Sequence, residues 1–304
     1  MTADIVRENR RGVLLMVASM ALFICNDAIV KHVGQGMSVP QLIFLRGLGA
    51  VSLIGTAVLV SGAWRRWYAA FTPIVLLRGG IDAVATFLYQ LGLQHLPLAN
   101  VTAINLSVPL ILTVLAVFVL NELVGWRRWL AVGIGFVGVL LVVQPTPEGF
   151  NWFALLTLLA TSMQAVRDLI TRRIHVGIPS LVITLTNAVL VTLLAGLYEL
   201  GAGWQAVALG DVGLLLIAAS LLSGGYWLVI ESMRHGELSV VAPFRYTALV
   251  WALLLGYAVW RDVPNMLASA GIVLLVGSGL YILHRERLRA RAAATTGFSE
   301  PAAR

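Results

Sequence analysis

The sequence predicts an all-α integral membrane protein: ten transmembrane helices in two inverted five-helix repeats, with the N and C termini in the cytoplasm. Three observations carry this prediction: the scarcity of charge, the spacing of apolar runs and the placement of basic residues. Of the 304 residues, 59% are hydrophobic and only 12% are charged, and the mean hydropathy is +0.90. Soluble domains carry about 25% charged residues. Because so few charges cannot cover a water-facing surface of this size, most of the surface is expected to face lipid.

The apolar runs have the length that a bilayer demands. A hydrocarbon core about 30 Å thick is crossed by about 20 helical residues. Ten runs near this length are separated by short charged or turn-forming segments, so the whole chain, 1–304, is predicted to be one membrane domain. The predicted spans cover roughly 12–31, 38–60, 72–94, 97–120, 127–144, 151–171, 179–200, 212–233, 238–259 and 264–283.

The basic residues fix the predicted orientation. With both termini inside, sixteen of the 21 lysines and arginines lie on the cytoplasmic side, and two, Lys31 and Arg261, lie outside. Cytoplasmic loops carry an excess of Lys and Arg, which favours this orientation in the inner (cytoplasmic) membrane of the cell. Residues 285–304 then form a basic cytoplasmic tail. The net charge of +7 is therefore a topology signal and does not predict a nucleic-acid partner.

An internal repeat relates the two halves of the chain. A shift of 140 residues lays 87–119 over 227–259 without a gap, and it aligns His95 with His235 and one short turn with another. We therefore predict a first repeat at 12–145 and a second at 151–284. Five spans per repeat is an odd number, so the halves must run through the membrane in opposite senses. Inverted repeats place a solute path at their interface near the membrane midplane, which points to transport.

Two stretches of the sequence resemble a known family. Residues 22–46 read LFICNDAIVKHVGQGMSVPQLIFLR, and residues 100–122 read NVTAINLSVPLILTVLAVFVLNE, with Pro109 inside the second stretch. The first stretch resembles the opening of EamA-type members of the drug/metabolite transporter superfamily, from the first helix to an arginine in the second, and the second stretch resembles their fourth helix. The resemblance implies a secondary transporter for a small-molecule metabolite.

Within that superfamily the sequence looks most like the amino-acid exporters of the YddG type. The resemblance therefore implies export of amino acids, including aromatic and other neutral ones, by alternating access. S-adenosylmethionine, nucleotide sugars and cationic drugs stay open as rival substrates, and so do proton coupling and the oligomeric state. A membrane enzyme or a helical scaffold is the alternative from another class, but the first lacks a catalytic constellation and the second leaves the repeat unexplained.

Ionisable residues inside the spans mark the candidate path. A charged group at the centre of a span costs about 2.5–3.5 kcal/mol, so it is expected to face a partner or water. Asp27 in span one and Arg46 in span two lie at similar depth. They are predicted to be neighbours, either as a salt bridge between helices or with Asp27 binding substrate or a proton. In span three, Arg78 and Asp82 are four residues apart and can meet on one face, or Arg78 can extend to the inner membrane interface.

Further polar groups continue along spans three and four. Thr86, Tyr89 and Gln90 extend the same face of span three as a polar and aromatic stripe. In span four, Pro109 has no N–H to donate to the Asn105 carbonyl, so that carbonyl and the Asn105 amide are predicted to hold a ligand or water.

Spans six, eight and nine carry a second charged group toward their cytoplasmic ends. Arg167 and Asp168 are adjacent in sequence, so they are expected to point to different faces and to need different partners. Pairing of Glu231 with Arg245 or Arg167 is the economical arrangement. It predicts either an inner ion-pair gate or static neutralisation.

Aromatic residues complete the predicted site. Tyr226, Trp227 and Tyr246 lie deep in spans eight and nine, where they are expected to stack on an apolar or aromatic substrate group or to pack between helices. The predicted substrate-binding residues are Asn26, Asp27, Asp82, Thr86, Tyr89, Gln90, Asn105, Gln164, Tyr226, Trp227 and Tyr246, and the predicted gating or ion-pair residues are Arg46, Arg167, Glu231 and Arg245.

One glycine motif matches a nucleotide-binding fingerprint but does not predict nucleotide binding. Gly133, Gly135 and Gly138 match the dinucleotide-binding fingerprint, but they lie in an uninterrupted apolar run with no preceding strand. Small residues at this spacing instead predict the close approach of another helix. The five histidines lack metal-ligand spacing and no nucleophile with a base is visible, so no metal, cofactor or enzymatic activity is predicted.

Overall fold

The computed structural model describes residues 3–120, 126–144, 151–171, 173–175, 177–235 and 238–296, and every regular element in these ranges is helical. The α-helices are α1 (Ala3–Val33), α2 (Val39–Val60), α3 (Pro73–His95), α4 (Leu98–Asn105), α5 (Val108–Leu120), α6 (Trp126–Val143), α7 (Trp152–Thr171), α8 (Ser180–Ala202), α9 (Leu209–His235), α10 (Leu238–Val241), α11 (Thr247–Leu255) and α12 (Met266–Thr296).

The predicted spans fall on these helices. Among the described residues, nine helical stretches are long and apolar enough to cross a membrane. The fifth predicted span falls on α6, whose apolar part, Trp129–Val143, is shorter. The described chain is therefore an all-helical, multi-pass membrane protein, as the composition predicts.

Spans four and nine are each broken near their middle. Span four bends between α4 and α5, where the Ser107 hydroxyl donates to the Ile104 carbonyl at 2.6 Å. Span nine passes from α10 through a 3₁₀ segment, Ala242–Tyr246, into α11, where the Thr247 hydroxyl donates to the Phe244 carbonyl, also at 2.6 Å. A proline lies at or just after each break, and each removes a helical hydrogen bond.

A short element between α2 and α3 is absent from the sequence prediction. Residues Ala63–Phe71 form a 3₁₀ helix with the sequence AWRRWYAAF, in which Trp64, Arg65, Arg66, Trp67 and Tyr68 are all exposed. Tryptophan, tyrosine and arginine are typical of the membrane–water interface. The segment therefore has the composition of an interfacial helix, and we call it the interfacial helix.

Four helix pairs pack most extensively. α1 packs against α9, α3 against α7, α2 against α8, and α6 against α12. A Cβ atom added to Gly138 would lie 2.7 Å from the Gly271 carbonyl oxygen, so the α6 and α12 backbones touch. This contact confirms that the apparent dinucleotide fingerprint is a helix-packing motif.

Candidate functional site

Two clusters of polar side chains meet along α3. Arg78, Asp82, Thr86 and Tyr89 recur every three or four residues and share one face of that helix. Positions 82 and 89 are about 10 Å apart along the helix axis at 1.5 Å per residue. We name the clusters after their carboxylates: the Asp27 cluster contains Asn26, Asp27, Arg46, Tyr89 and Gln90, and the Asp82 cluster contains Arg78, Asp82, Arg167, Asp168 and Asn187.

The Asp27 cluster joins α1, α2 and α3. The Tyr89 hydroxyl donates to Asp27 Oδ2 at 2.8 Å, and the Asn26 amide donates to Asp27 Oδ1 at 2.9 Å. With the Gln90 amide oriented so that its oxygen faces the guanidinium, that oxygen accepts from Arg46 Nη1 and Nη2 at 3.1 and 3.2 Å. Five residues predicted from sequence, on three helices, therefore lie close together in two hydrogen-bonded sets, one around Asp27 and one around Arg46.

The predicted proximity of Asp27 and Arg46 is confirmed as an electrostatic interaction, but the two side chains form no direct salt bridge. Neutral donors, Tyr89 and Asn26, bind the Asp27 carboxylate, while the Gln90 amide binds the guanidinium. Each charge is thus solvated by neutral groups rather than cancelled by the other.

The Asp82 cluster joins α3, α7 and α8. Arg167 Nη1 forms an ion pair with Asp82 Oδ1, and the Asn187 amide donates to Asp82 Oδ2. Arg167 also donates through Nη2 and Nε to Asp168 Oδ1, at 2.8 and 3.0 Å. One guanidinium therefore bridges two carboxylates, which the five N–H donors of arginine allow.

The structure corrects the predicted pairing in this region. Of the two alternatives for Arg78, a direct pair with Asp82 does not form, and Arg78 donates through Nε to the Thr171 hydroxyl at 2.8 Å. The expectation that Arg167 and Asp168 need different partners is wrong, because the long arginine side chain folds back onto its neighbour. The signal that sequence reasoning missed is Asn187, an amide in the apolar run of α8.

The predicted ion pair between Glu231 and Arg167 is also wrong, since Arg167 is taken up by two aspartates. Glu231 Oε2 instead lies 3.5 Å from Nε2 of His235, whose Nδ1 is 2.7 Å from Glu8 Oε2. Arg245 is exposed. Glu231 and His235 therefore link the end of α9 to Glu8 of α1 and do not join the Asp82 cluster.

Tyr226 of α9 lies between the two clusters. It interacts electrostatically with Arg167, Asp82 and Arg46, and its ring packs edge-to-face on Phe23 at 5.1 Å. The residue is nevertheless 53% exposed. A side chain that is accessible while charges from α2, α3 and α7 lie around it faces a polar space inside the helix bundle.

Trp227 is not brought to the same space. Its side chain is 62% exposed. Leu216, eleven residues earlier and therefore on the same side of α9, is 50% exposed. The small buried residues Ala218 and Gly225 occupy the other side, which packs on α1. Tyr226 is close to that packed side, so adjacent aromatics on α9 have different surroundings.

Tyr246 lies in helix packing rather than at the polar groups. It is 7% exposed, and a Cβ atom added to Gly279 of α12 would fall 1.6 Å from its hydroxyl oxygen. Tyr246 therefore follows the second of its two predicted alternatives, packing between helices. The proline-induced 3₁₀ turn, Ala242–Tyr246, carries the side chain toward α12.

Three further predicted residues, Asn105, Gln164 and Thr86, lie near the clusters. The Asn105 amide donates to Gln164 Oε1 at 3.2 Å, and Gln164 lies one turn before Arg167 and Asp168 on α7. Thr86 is half-buried between Asp82 and Tyr89, and within the described chain its hydroxyl forms no hydrogen bond. Such groups are available to water or a ligand.

Comparison with known proteins identifies the class. Residues 10–144 match the EamA-like transporter family, and the chain is similar over more than nine tenths of its length to transporters of small solutes. It is a membrane transporter and not an enzyme.

The similar proteins carry different solutes. The chain is 26% identical to an S-adenosylmethionine uptake transporter of Rickettsia bellii, over 93% of this chain and 97% of that one. It is 27% identical to a riboflavin transporter of Rhizobium johnstonii (92% and 93% covered) and 25% identical to a pseudopaline exporter of Pseudomonas aeruginosa (91% and 96%). One crystal structure, 17% identical, superposes with a TM-score of 0.61 over 91% of this chain and 98% of the other, which shows a shared fold.

Proposed function

We propose that this transporter moves a small charged metabolite that carries an amino-acid group, and that S-adenosylmethionine is its leading candidate. The observation that carries the proposal is the pair of clusters along α3, which offer a carboxylate and guanidinium groups around the accessible ring of Tyr226. The names of several relatives, 24–26% identical, support the choice of S-adenosylmethionine.

The chemistry of that solute suits these groups. S-adenosylmethionine carries a sulfonium and an ammonium cation, a carboxylate and a flat adenine. Asp27 would attract a cation, because its carboxylate is bound only by neutral donors. Arg46 would attract the carboxylate, and the Tyr226 and Phe23 rings would pack against the adenine.

The proposed mechanism is alternating access between two inverted five-helix repeats. Exchanging the halves turns the α1–α9 contact into the α7–α3 contact and leaves the α2–α8 and α6–α12 contacts unchanged. The capping bonds of Ser107 and Thr247 also lie 140 residues apart, as the sequence repeat requires. This symmetry supports two related conformations, in one of which the Asp82 cluster closes the path.

We also propose ten spans with both termini on the cytoplasmic side of a bacterial inner membrane. The charge distribution supports this orientation, in which the Asp27 cluster lies in the outer half and the Asp82 cluster in the inner half. Single cysteines on a Cys25→Ser background test it. An impermeant thiol reagent outside intact cells should label Gln35→Cys and not Arg173→Cys; the reverse pattern would reject the orientation.

Export of amino acids is the second candidate, because the same carboxylate and guanidinium groups suit a free zwitterion. The named exporter among the relatives supports outward movement, whereas other relatives are named for uptake. The direction and the solute are therefore tested together.

The test is transport by the purified chain in liposomes loaded with unlabelled S-adenosylmethionine. We expect saturable uptake of labelled S-adenosylmethionine, weaker competition by S-adenosylhomocysteine, which lacks the sulfonium charge, and still weaker competition by riboflavin. If labelled amino acids exchange and S-adenosylmethionine neither moves nor competes, the second candidate replaces the first. If no small solute shows saturable flux, both fail.

A further inference from the structure

An apolar pocket lies apart from the polar clusters, on the outer surface of the helix bundle. It encloses about 620 Å³ between α2, α8 and the interfacial helix Ala63–Phe71. Its walls include Val58, Leu59, Trp64, Trp67, Val189 and Leu193. Thr186 also lines it, but its hydroxyl is donated to the Val182 carbonyl of the same helix at 2.8 Å. The pocket therefore offers apolar contacts to its occupant.

Positive charge surrounds the end of the pocket at the membrane surface. Arg65 and Arg66 are exposed on the same short helix as the lining residues Trp64 and Trp67. Arg66 Nη1 also donates to the Gly177 carbonyl, just before α8 begins. The N-termini of α3 and α8 lie at the same surface, and helix N-termini carry partial positive charge. An apolar pocket below two arginines matches an acyl chain below an anionic headgroup.

We propose that this pocket binds one acyl chain of an anionic phospholipid, whose phosphate is held by Arg65 and Arg66. In the proposed orientation the site faces the cytoplasmic leaflet, which carries anionic lipids. The proposal does not depend on the transported solute.

One wall of the pocket, α8, also carries a residue of the Asp82 cluster. Leu190 lines the pocket, and a Cβ atom added to Gly79 of α3 would lie 2.5 Å from its Cδ1 atom. The preceding turn of α8 carries Asn187, which donates to Asp82. A bound acyl chain would therefore pack against the same part of α8 that supplies Asn187 to the Asp82 cluster.

Native mass spectrometry of the purified full chain tests the site, with phosphatidylglycerol and phosphatidylcholine as competing probes. We expect one tightly retained phosphatidylglycerol per protein. Gly55→Leu should reduce its affinity about tenfold or more, because Gly55 lines the pocket and a Cβ atom there meets no protein atom within 4 Å. The double variant Arg65→Gln/Arg66→Gln should reduce it about ten- to thirtyfold.

Matched controls are Gly133→Leu, also at a glycine with no protein atom within 4 Å of an added Cβ but on α6, and Arg10→Gln, at an exposed arginine of α1. Both should bind lipid like the wild type. Equal retention of the two lipids, equal retention by all variants, or a protein dimer that covers the site without lipid would each overturn the proposal. If Gly55→Leu does not fold, quenching of Trp64 and Trp67 by bromine-labelled phosphatidylglycerol, compared with Trp64→Phe/Trp67→Phe, decides the same point: undiminished quenching in that variant would reject the site.

Discussion

The Asp27 cluster and the Asp82 cluster hold their carboxylates in different ways. Asp27 is bound by the neutral donors Tyr89 and Asn26, so its charge is solvated but not cancelled. Asp82 forms a direct ion pair with Arg167, which also binds Asp168. A solvated charge remains available to a ligand of opposite charge, whereas a paired charge ties helices together. The comparison suggests that the Asp27 cluster binds solute and that the Asp82 cluster closes the path.

The largest effect is expected from Arg167→Gln. Removing one partner leaves charges without compensation in the protein interior, which typically costs about 3–5 kcal/mol. We therefore expect a large loss of thermal stability in detergent together with loss of transport. Asp82→Asn/Arg167→Gln should be more stable than Arg167→Gln alone. The control is Arg173→Gln, at an exposed position beyond the end of α7. Equal unfolding temperatures for the Arg167 and Arg173 variants would show that the ion pair between Arg167 and Asp82 does not tie the helices together.

Asp27→Asn should act on binding rather than on stability. Loss of a charged hydrogen-bonding partner is worth about 1.5–3 kcal/mol, so KM for S-adenosylmethionine should rise about ten- to hundredfold. Tyr89→Phe, which keeps the charge, should raise KM about two- to tenfold. Asp211→Asn, at the start of α9, is the matched control. An unchanged KM for Asp27→Asn would remove Asp27 from the binding site.

The adjacent residues Tyr226 and Trp227 on α9 test whether the solute lies between the two clusters. Tyr226→Leu removes a ring that lies between the clusters and should lower the apparent affinity about fivefold. Trp227→Leu is its control, on the exposed side of the same helix, and should change affinity less than about twofold. Competition measurements in proteoliposomes compare the two. A larger effect at Trp227 would show that the solute path lies on the other side of α9.

The smallest effect is expected at the uncharged pair Asn105 and Gln164, which are joined by a hydrogen bond of 3.2 Å. Replacing either by alanine should lower transport about two- to fivefold, because neutral hydrogen bonds contribute about 1 kcal/mol. The double variant should lose little more than either single variant, since both remove one interaction. Additive losses would mean that the two side chains contact the solute separately.

Much of the fold follows from the sequence because lipid imposes simple rules. Hydropathy locates the helices, and the prolines at positions 109 and 243 locate the breaks in spans four and nine. The interfacial helix Ala63–Phe71 escapes this reasoning, since it is too short and too polar to register as a span. Its sequence, with two tryptophans and a tyrosine around two arginines, is the signal that identifies it.

The site is predicted less completely, because sequence gives depth and helix face but not the partner across a helix interface. The polar face of α3 follows from helical spacing, and it is the face on which the clusters meet. The choice of Arg167 rather than Arg78 as the partner of Asp82 depends on the approach of α7, and the role of Asn187 depends on α8. Tyr226 and Trp227 are adjacent in sequence. Their surroundings differ because the side of α9 that carries the small residues Ala218 and Gly225 packs on α1.

The most direct test of the account is the accessibility of Thr86, which lies between the two clusters and has a free hydroxyl. Thr86→Cys on the Cys25→Ser background should retain saturable transport. A charged, impermeant methanethiosulfonate reagent should then modify it when added from either side of the membrane, and substrate should protect it. If the variant transports but reacts from neither side, the path does not run between the Asp27 and Asp82 clusters.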